Sequence, residues 1–170
     1  ARPQDPGDPL QREAAERFDA WYHGTMLEAL ATGWVRLPDR EPEEIPHLRG
    51  ALDLYGFNYY SSTGFGPSGP GSHADRTDAP RDAMGRHVFP RGLEEGLLRV
   101  SQALPGLPLM VTENGCPTTD EDFRIRYVAA HLAALDRARR RGADVRGYFH
   151  WTAVDNYEWH EGLGAHARFG

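Results

Sequence analysis

Several residue types are scarce in this 170-residue chain, and each scarcity excludes a class of protein. Lysine is absent, and the 19 basic residues, all arginine, stand against 25 acidic ones, giving a net charge of −6. The sequence has no basic patch of the kind that nucleic-acid binding needs. No apolar run approaches the ~20 residues of a membrane span. We therefore expect neither a nucleic acid nor a membrane as a partner.

The chain has one cysteine, Cys116, which excludes an internal disulfide framework and is typical of a reducing compartment. We therefore expect a cytoplasmic protein. Apolar residues make up 39% and charged residues 26%, which indicates a globular domain with a core. The first residues are polar and rich in proline, and resemble neither a signal peptide nor a methionine start. We expect residues 1–10 to be flexible, and the chain to begin inside a longer protein.

The motifs of several common enzyme classes are also missing. The chain has no G-x-S-x-G, no P-loop and no G-x-G-x-x-G after a strand, which argues against an α/β-hydrolase or a nucleotide-binding fold. The spacing of His150, Glu158 and His160 fits no standard zinc pattern. We therefore expect no metal site.

Helical and strand patterns alternate along the rest of the chain. Helices are predicted over residues 11–31, around Leu93 to Leu104, and between Asp120 and Gly142. Buried strands are predicted at residues 52–59, 108–112 and 145–151, and residues 61–85 are predicted to be a long loop. The apolar stripe of the last predicted helix comprises Ile125, Val128, Leu132 and Leu135. Helices that lie between strands predict βαβ units and a parallel sheet, so the fold class is α/β.

Polar and aromatic side chains follow each predicted strand. If the strands are neighbours, their carboxyl ends lie roughly 5–10 Å apart and present these side chains to one site. Carboxylates, amides and indoles together suit a sugar, because indole faces stack on pyranose rings while carboxylates and amides bind hydroxyl groups. The side chains in question are Asn58, Tyr59, Tyr60, Glu113, Asn114, Trp151, Asp155, Asn156, Glu158 and Trp159.

Each of these residues also has a purely structural interpretation. A glutamate just past a strand, such as Glu113, is usually a solvated turn residue. Tyr59 alternates with Tyr60 across the strand and is expected in the core, and Trp151 could be a core residue too. We expect Asp155 to brace the loop after the third strand, and Cys116 to be chemically inert.

Four sequence motifs, taken together in their order and spacing along the chain, favour the functional interpretation over the structural one. The segments GFNYYSS, VTENG and RGYFHWTAVDNYEW, with RFG at the end, resemble the second half of glycoside hydrolase family 1, the β-glucosidase family. The segments DAMGRHVFPRGLEEGLL and RIRYVAAHLAALDRARRRGADVRGYF match that family as well. The resemblance covers about residues 17–170.

The resemblance implies a retaining β-glycosidase that needs no metal or organic cofactor and acts on β-glycosides or oligosaccharides. In such an enzyme one carboxylate attacks the anomeric carbon, and a second carboxylate protonates the leaving oxygen. By resemblance, Glu113 is the nucleophile and Tyr60 donates a hydrogen bond to it. The sugar-binding residues implied are Asn58, Trp151 as stacking platform, Glu158 and Trp159 at the hydroxyl groups, and Phe169 at the pocket wall.

The resemblance also implies that residues 1–170 form a single segment of a partial (β/α)8 barrel, covering strands six to eight and helices five to seven. The Asn-Glu-Pro motif that carries the family's acid/base glutamate does not occur in this chain. Three strands cannot close a barrel of eight, so we expect the chain to need a missing N-terminal half or a second copy. The alternative hypothesis is a catalytically inactive, sugar-binding or structural remnant.

Overall fold

The computed structural model describes residues 1–71 and 79–170. The helices are α1 (Pro9–Asp19), α2 (Thr25–Thr32), α3 (Pro90–Ala103) and α4 (Glu121–Arg140). The strands are β1 (Arg2–Pro3), β2 (Trp34–Val35), β3 (Glu43–Glu44), β4 (Tyr55–Asn58), β5 (Gly64–Gly66), β6 (Gly69–Gly71), β7 (Leu109–Asn114) and β8 (Val145–His150). A π-helical turn at Ala20–Gly24 joins α1 to α2, and 3-10 turns occupy Pro46–Leu48, Trp159–Glu161 and Ala165–Ala167.

A three-stranded parallel sheet in the order β4-β7-β8 organises the chain. Helix α3 connects β4 to β7 and α4 connects β7 to β8, which confirms the two predicted βαβ units. The first strand is shorter than predicted. It begins at Tyr55, opposite Leu109, while Leu52 and Leu54 precede the ladder and are 36% and 38% exposed.

The N-terminal helical segment follows the prediction over residues 11–31, but it is not one regular α-helix. Asp8 accepts hydrogen bonds from the backbone N–H groups of Leu10 and Gln11 and so caps α1. Gly33 ends α2 in the left-handed conformation, with φ at 86°. The spacing of apolar residues in this segment predicts one buried face made of Phe18, Trp21, Tyr22, Met26 and Leu30. This prediction is wrong in part, since Trp21, Tyr22 and Met26 are exposed, while Leu27 and Ala29 are buried.

The buried face of α4 differs from the predicted apolar stripe. Ile125 and Leu132, which the pattern placed in the core, are 64% and 42% exposed. The buried residues of this helix are Arg124, Tyr127, His131, Ala134 and Ala138. The prediction was wrong because it assumed that polar side chains face water, whereas these polar side chains are buried with hydrogen-bond partners inside the fold.

The core lies between the parallel sheet and helices α2, α3 and α4. Alternate residues of each strand face it, so that Leu109 and Val111 of β7 are wholly buried while Thr112 is exposed. Tyr59 is also buried in this core, which confirms its predicted place. The buried apolar residues that make up this core are Leu27, Tyr59, Leu93, Leu97, Leu98, Val100, Leu104, Leu109, Val111, Ala138, Ala143 and Val145.

The segment predicted as a loop over residues 61–85 contains the antiparallel pair β5 and β6, and part of it, residues 72–78, lies outside the described residues. Strand β1 pairs in parallel with β5. The flexibility predicted for residues 1–10 stays a prediction. Among the described residues, no helix is both long and apolar enough to cross a membrane.

Candidate active site

The carboxyl ends of β4 and β7 bring a tyrosine against a glutamate. Glu113 is the last residue but one of β7, and Tyr60 follows β4 by two residues. The backbone N–H of Tyr59 donates to the carbonyl oxygen of Glu113 at 2.9 Å, which continues the ladder beyond β4. The Tyr60 hydroxyl then donates to Oε2 of Glu113 at 2.6 Å. A charge-assisted hydrogen bond this short fixes the carboxylate in one orientation.

The environment keeps Tyr60 protonated. Burial raises the pKa of its phenol most strongly, and the hydrogen bond to Glu113 and the negative charge of that residue raise it further. Glu158 acts on the pKa of Tyr60 in the same direction, while Arg86 lowers it. At neutral pH the phenol is therefore a hydrogen-bond donor and Glu113 is the acceptor.

An arginine from the segment before α3 holds the Tyr60 ring. The guanidinium carbon of Arg86 lies 4.9 Å from the centroid of Tyr60 and 5.3 Å from that of Phe169. Its Nε donates to Oδ2 of Asp82 at 2.8 Å. The rings of Tyr60 and Phe169 meet edge to face, with 6.0 Å between centroids. One cation thus joins the two rings through cation–π contacts.

The other predicted sugar-binding residues lie at the same edge of the sheet but differ in their surroundings. Asn58 is exposed, and its Oδ1 accepts a hydrogen bond of 2.6 Å from Thr112. Trp151 is partly buried directly after β8, and its backbone N–H donates to Asn114. Phe169 is only 1% exposed, so it lies behind Tyr60 rather than at an open wall.

Glu158 and Trp159 lie in the loop after β8. Nδ2 of Asn156 donates to Oε2 of Glu158 at 2.8 Å. Trp159 is 82% exposed with φ at 44°, and its indole stands in solvent.

Asn114 forms a hydrogen-bonded centre beneath the carboxylate. Its side chain is wholly buried, and its Nδ2 donates to the carbonyl oxygen of Tyr59 at 2.7 Å and to the hydroxyl of Tyr127 at 3.1 Å. Its Oδ1 accepts from the hydroxyl of Tyr148 at 2.9 Å. The Tyr127 hydroxyl donates in turn to the carbonyl oxygen of Tyr60 at 3.0 Å. This set of bonds links the ends of β4 and β7 with β8 and α4.

Two small residues after β7 complete the close approach of the strand ends. A Cβ atom on Gly115 would lie 1.6 Å from the carbonyl oxygen of Trp151, so only glycine fits at this position. Cys116 is wholly buried, and burial raises the pKa of its thiol to about 12. The thiol is therefore un-ionised at neutral pH, as expected of an inert cysteine.

Arg124 of α4 ties the C-terminal segment to the loop after β7. Its guanidinium donates to the carbonyl oxygens of Cys116, Thr118 and Phe169, with the shortest contact, 2.6 Å, at Phe169. Asp155 accepts from Nε of Arg168 and from the backbone N–H of Gly170, which confirms its predicted bracing role. Phe169 is therefore held by Arg124 through its own carbonyl oxygen, and by Asp155 through the residues before and after it in the chain.

The sequence patterns did not single out Arg86, Arg124 or Tyr127, and they placed Asn114 at the strand end without predicting its buried hydrogen bonds. One signal could have found two of them, because Arg124, Tyr127 and His131 follow the i, i+3, i+7 spacing of one helix face. A polar stripe at this spacing between apolar neighbours indicates buried hydrogen bonds. Arg86 has no comparable local signal for its contacts with Tyr60 and Phe169, since both rings lie far away in the sequence.

Comparison with known proteins supplies the wider context. The model of glycosyl hydrolase family 1 matches residues 12–170. A beta-galactosidase from Pyrococcus woesei is 30% identical over 193 residues, covering 100% of this chain and 37% of that protein. Thermostable beta-glucosidase B from Thermobispora bispora is 37% identical over 155 residues, covering 81% of this chain and 32% of that protein.

Solved structures resemble the fold over nearly its whole length. A beta-glycosidase from Pyrococcus horikoshii superimposes with a TM-score of 0.82 at 33% identity, over 99% of this chain and 40% of that one. A Thermotoga maritima family 1 glycoside hydrolase, complexed with a cyclophellitol analogue transition state mimic, gives a TM-score of 0.79 at 26% identity, over 100% and 43%. The α/β fold of this chain therefore corresponds to one part of the larger folds of these relatives.

Proposed function

This chain belongs to glycosyl hydrolase family 1, and on that premise we propose that it is the nucleophile-bearing part of a retaining β-glycosidase. The observation that carries the proposal is the 2.6 Å hydrogen bond from Tyr60 to Glu113 at neighbouring strand ends. It supports an oriented carboxylate at the edge of a parallel sheet, where α/β enzymes assemble their active sites.

The proposed chemistry proceeds in two displacements at the anomeric carbon. An oxygen of Glu113 forms a bond to this carbon while the glycosidic C–O bond breaks, and the leaving oxygen takes a proton from a general acid. Water, deprotonated by the same second carboxylate, then displaces Glu113 and releases the sugar. This chain has no Asn-Glu-Pro, so the acid/base carboxylate comes from the rest of the protein.

The substrate class we propose is terminal β-glucosides and related β-glycosides, including oligosaccharides. The names of the relatives, beta-galactosidase and beta-glucosidase, support this class. Asn58, Glu158 and Trp159 would bind sugar hydroxyl groups, and Trp151 would offer its indole face to the pyranose. Phe169 would act from behind, by supporting Tyr60. The reaction as proposed uses neither a metal nor an organic cofactor.

In the whole protein, we propose that β4, β7 and β8 are strands six to eight of a (β/α)8 barrel, flanked by helices five to seven. The similarity to 40% and 43% of two solved family structures supports this placement. The remaining strands would come from a preceding half or from another copy of the chain. We propose a cytoplasmic location, from the single reduced cysteine.

The test of the nucleophile uses a substrate that needs little protonation of its leaving group. Incubation with 2,4-dinitrophenyl 2-deoxy-2-fluoro-β-glucoside should add one fluoroglycosyl group to Glu113, as found by mass spectrometry of the peptide. Glu113→Gln should abolish the label, because a neutral amide is a poor nucleophile. Glu121→Gln, at an exposed glutamate at the start of α4, is the matched control and should label at the parent rate. Labelling of Glu113→Gln at the parent rate would exclude Glu113 as nucleophile.

A second candidate function is an inactive, sugar-binding or structural remnant, and the absence of an Asn-Glu-Pro motif from this chain favours it. The two functions differ in the chemistry of the protein that carries this chain. Hydrolysis of an unactivated β-glycoside by that full-length protein, lost in Glu113→Gln, would support the enzyme. Binding of glucose without labelling or hydrolysis would support the remnant.

A further inference from the structure

We propose that Tyr127 is a positioning residue for the pair formed by Glu113 and Tyr60, acting through its hydroxyl group. The inference rests on the proposed function of Glu113 and adds a residue from helix α4, which does not touch the carboxylate itself. Its basis is that one buried hydroxyl bonds to the ends of two neighbouring strands at once.

The hydroxyl of Tyr127 bridges β4 and β7. It donates to the carbonyl oxygen of Tyr60 at 3.0 Å and accepts from Nδ2 of Asn114 at 3.1 Å. Tyr60 is the residue whose phenol binds Glu113, and Asn114 directly follows Glu113 in the chain. The bridge therefore joins the backbone carbonyl of Tyr60 to the side chain of Asn114, the two residues that flank the 2.6 Å contact between the functional side chains.

The position of the Tyr127 ring is itself fixed. Tyr127 is 3% exposed, and its ring lies 4.0 Å, centroid to centroid, from that of His131 one turn later in α4. Burial raises the pKa of its phenol, so the proton that it donates to Tyr60 stays in place. Oδ1 of Asn114 is held in addition by Tyr148 at 2.9 Å. The bridge is thus a rigid element, not a side chain that can turn away.

Replacing Tyr127 by phenylalanine removes one oxygen atom and keeps the ring. The carbonyl oxygen of Tyr60 then loses this donor, while Nδ2 of Asn114 keeps its bond of 2.7 Å to Tyr59. The backbone at Tyr60 loses its anchor while Tyr59 stays bonded to Asn114 and Glu113, so Tyr60 can shift relative to Glu113. Small misplacements of reacting groups slow a reaction strongly, by up to about 100-fold for 1 Å.

The first measurement is the labelling rate of Glu113 in the full-length protein that carries this chain. With 2,4-dinitrophenyl 2-deoxy-2-fluoro-β-glucoside, the carboxylate oxygen bonds to the anomeric carbon and dinitrophenolate leaves with the electron pair. In Tyr127→Phe the maximal rate should fall roughly 10-fold or more, and the half-saturating concentration should change by less than about twofold. A lower maximal rate with an unchanged half-saturating concentration would indicate that the substitution alters the orientation of the reacting groups and not the binding of the substrate.

Tyr59→Phe is the matched control. Tyr59 is also buried in the core, and its hydroxyl donates to the carbonyl oxygen of Phe89 at 2.6 Å, away from the bridge. Tyr59→Phe loses one buried hydrogen bond and Tyr127→Phe loses two, so both should lower the urea midpoint, Tyr127→Phe by more. Labelling by Tyr59→Phe should stay within about twofold of the parent rate. Equal labelling by the two variants would overturn the proposed role of Tyr127.

A second measurement does not depend on chemistry at Glu113. The hydroxyl proton of Tyr60 in its short hydrogen bond should give a downfield proton NMR signal, assigned by its loss in Tyr60→Phe. The signal should broaden or disappear in Tyr127→Phe and persist in Tyr59→Phe. If the parent chain is not labelled, the proposed function fails while this signal still decides the role of Tyr127. Persistence of the signal in Tyr127→Phe would overturn that role.

Discussion

His131 is wholly buried on α4, and burial lowers the pKa of its imidazole to about 4 from an ordinary 6.5. Its Nδ1 lies 2.8 Å from the carbonyl oxygen of Tyr127, so the neutral ring donates from Nδ1. The same ring lies tilted against Tyr127, with 4.0 Å between the centroids, and protonation of His131 would therefore place a charge next to the strand-end hydrogen bonds. The fold keeps this histidine neutral.

A dependence of stability on pH follows from this histidine. Between pH 6.5 and pH 4 the unfolded chain binds a proton at His131 and the folded chain does not, so the free energy of unfolding falls as the pH is lowered. The stabilisation is complete above about pH 6.5 and lost near pH 4, and its size is about 3 kcal/mol. Urea unfolding at a series of pH values measures it.

The control for this prediction is His131→Asn, which keeps a donor near the position of Nδ1 and removes the titration. The variant's unfolding free energy should fall less steeply than the parent's between pH 6.5 and pH 4. Parallel curves would mean that other groups cause the dependence on pH.

Sequence patterns alone could locate some of the site residues but not their contacts. Polar residues after three strands were visible, and the motifs around Tyr60 and Glu113 gave the pair through a resemblance. The contacts of Arg86 with Tyr60 and Phe169, by contrast, join three distant segments of the chain. Hydrophobic periodicity describes only which residues of one helix or strand share a face, so it cannot predict contacts between distant segments.

At the scale of elements, patterns predicted the regular structure well and its exceptions poorly. The amphipathic helix α3 and the three parallel strands have strong signals, since their apolar residues face the core at the expected spacing. The π-helical turn at Ala20–Gly24 has no signal, because it differs from an α-helix only in hydrogen-bond pairing. The short pair β5 and β6 is rich in glycine, which patterns assign to loops.

Two glycines of the N-terminal helical segment should respond to alanine in opposite directions. Gly33 has φ at 86°, and a Cβ there would lie 3.2 Å from the carbonyl oxygen of Ile45, so Gly33→Ala should lower the free energy of unfolding by about 1–2 kcal/mol. Gly24 has φ at −62° and no atom within 3.7 Å of an added Cβ. Gly24→Ala should raise the free energy of unfolding by roughly 0.5–1 kcal/mol.

Urea unfolding of the parent and both glycine variants measures these effects on the same helical segment, so each variant serves as the other's control. A fall in stability for both would contradict the helical conformation of Gly24, and no change for Gly33→Ala would contradict its left-handed one.

At the scale of the whole molecule, the chain exposes more surface than its size requires. Its accessible surface is 10169 Å², against about 8400 Å² for a compact monomer of 19.0 kDa. The outer strands β4 and β8 of the three-stranded sheet each have a neighbour on one side only within the described residues. Unpaired strands that carry apolar side chains favour association with another chain.

We expect the isolated chain to self-associate through the outer side of β8. Phe149 of this strand is 57% exposed, so Phe149→Glu should shift sedimentation velocity profiles towards the monomer. Leu10→Glu is the matched control, because Leu10 is 75% exposed but lies on α1, away from the sheet edge. Equal effects of the two substitutions would indicate general apolar contact and not pairing at β8.

The close approach at Gly115 has a consequence for the interpretation of new sequences. The backbone after β7 passes the carbonyl oxygen of Trp151 so closely that no side chain can stand between them. A Glu-Asn pair at a strand end occurs by chance in many unrelated proteins, whereas the glycine that follows it is required only where the adjoining strand end lies this near. When new sequences are searched for this motif, the glycine of Glu-Asn-Gly is therefore the informative residue. Its presence in one strand indicates that the end of the neighbouring strand lies close by.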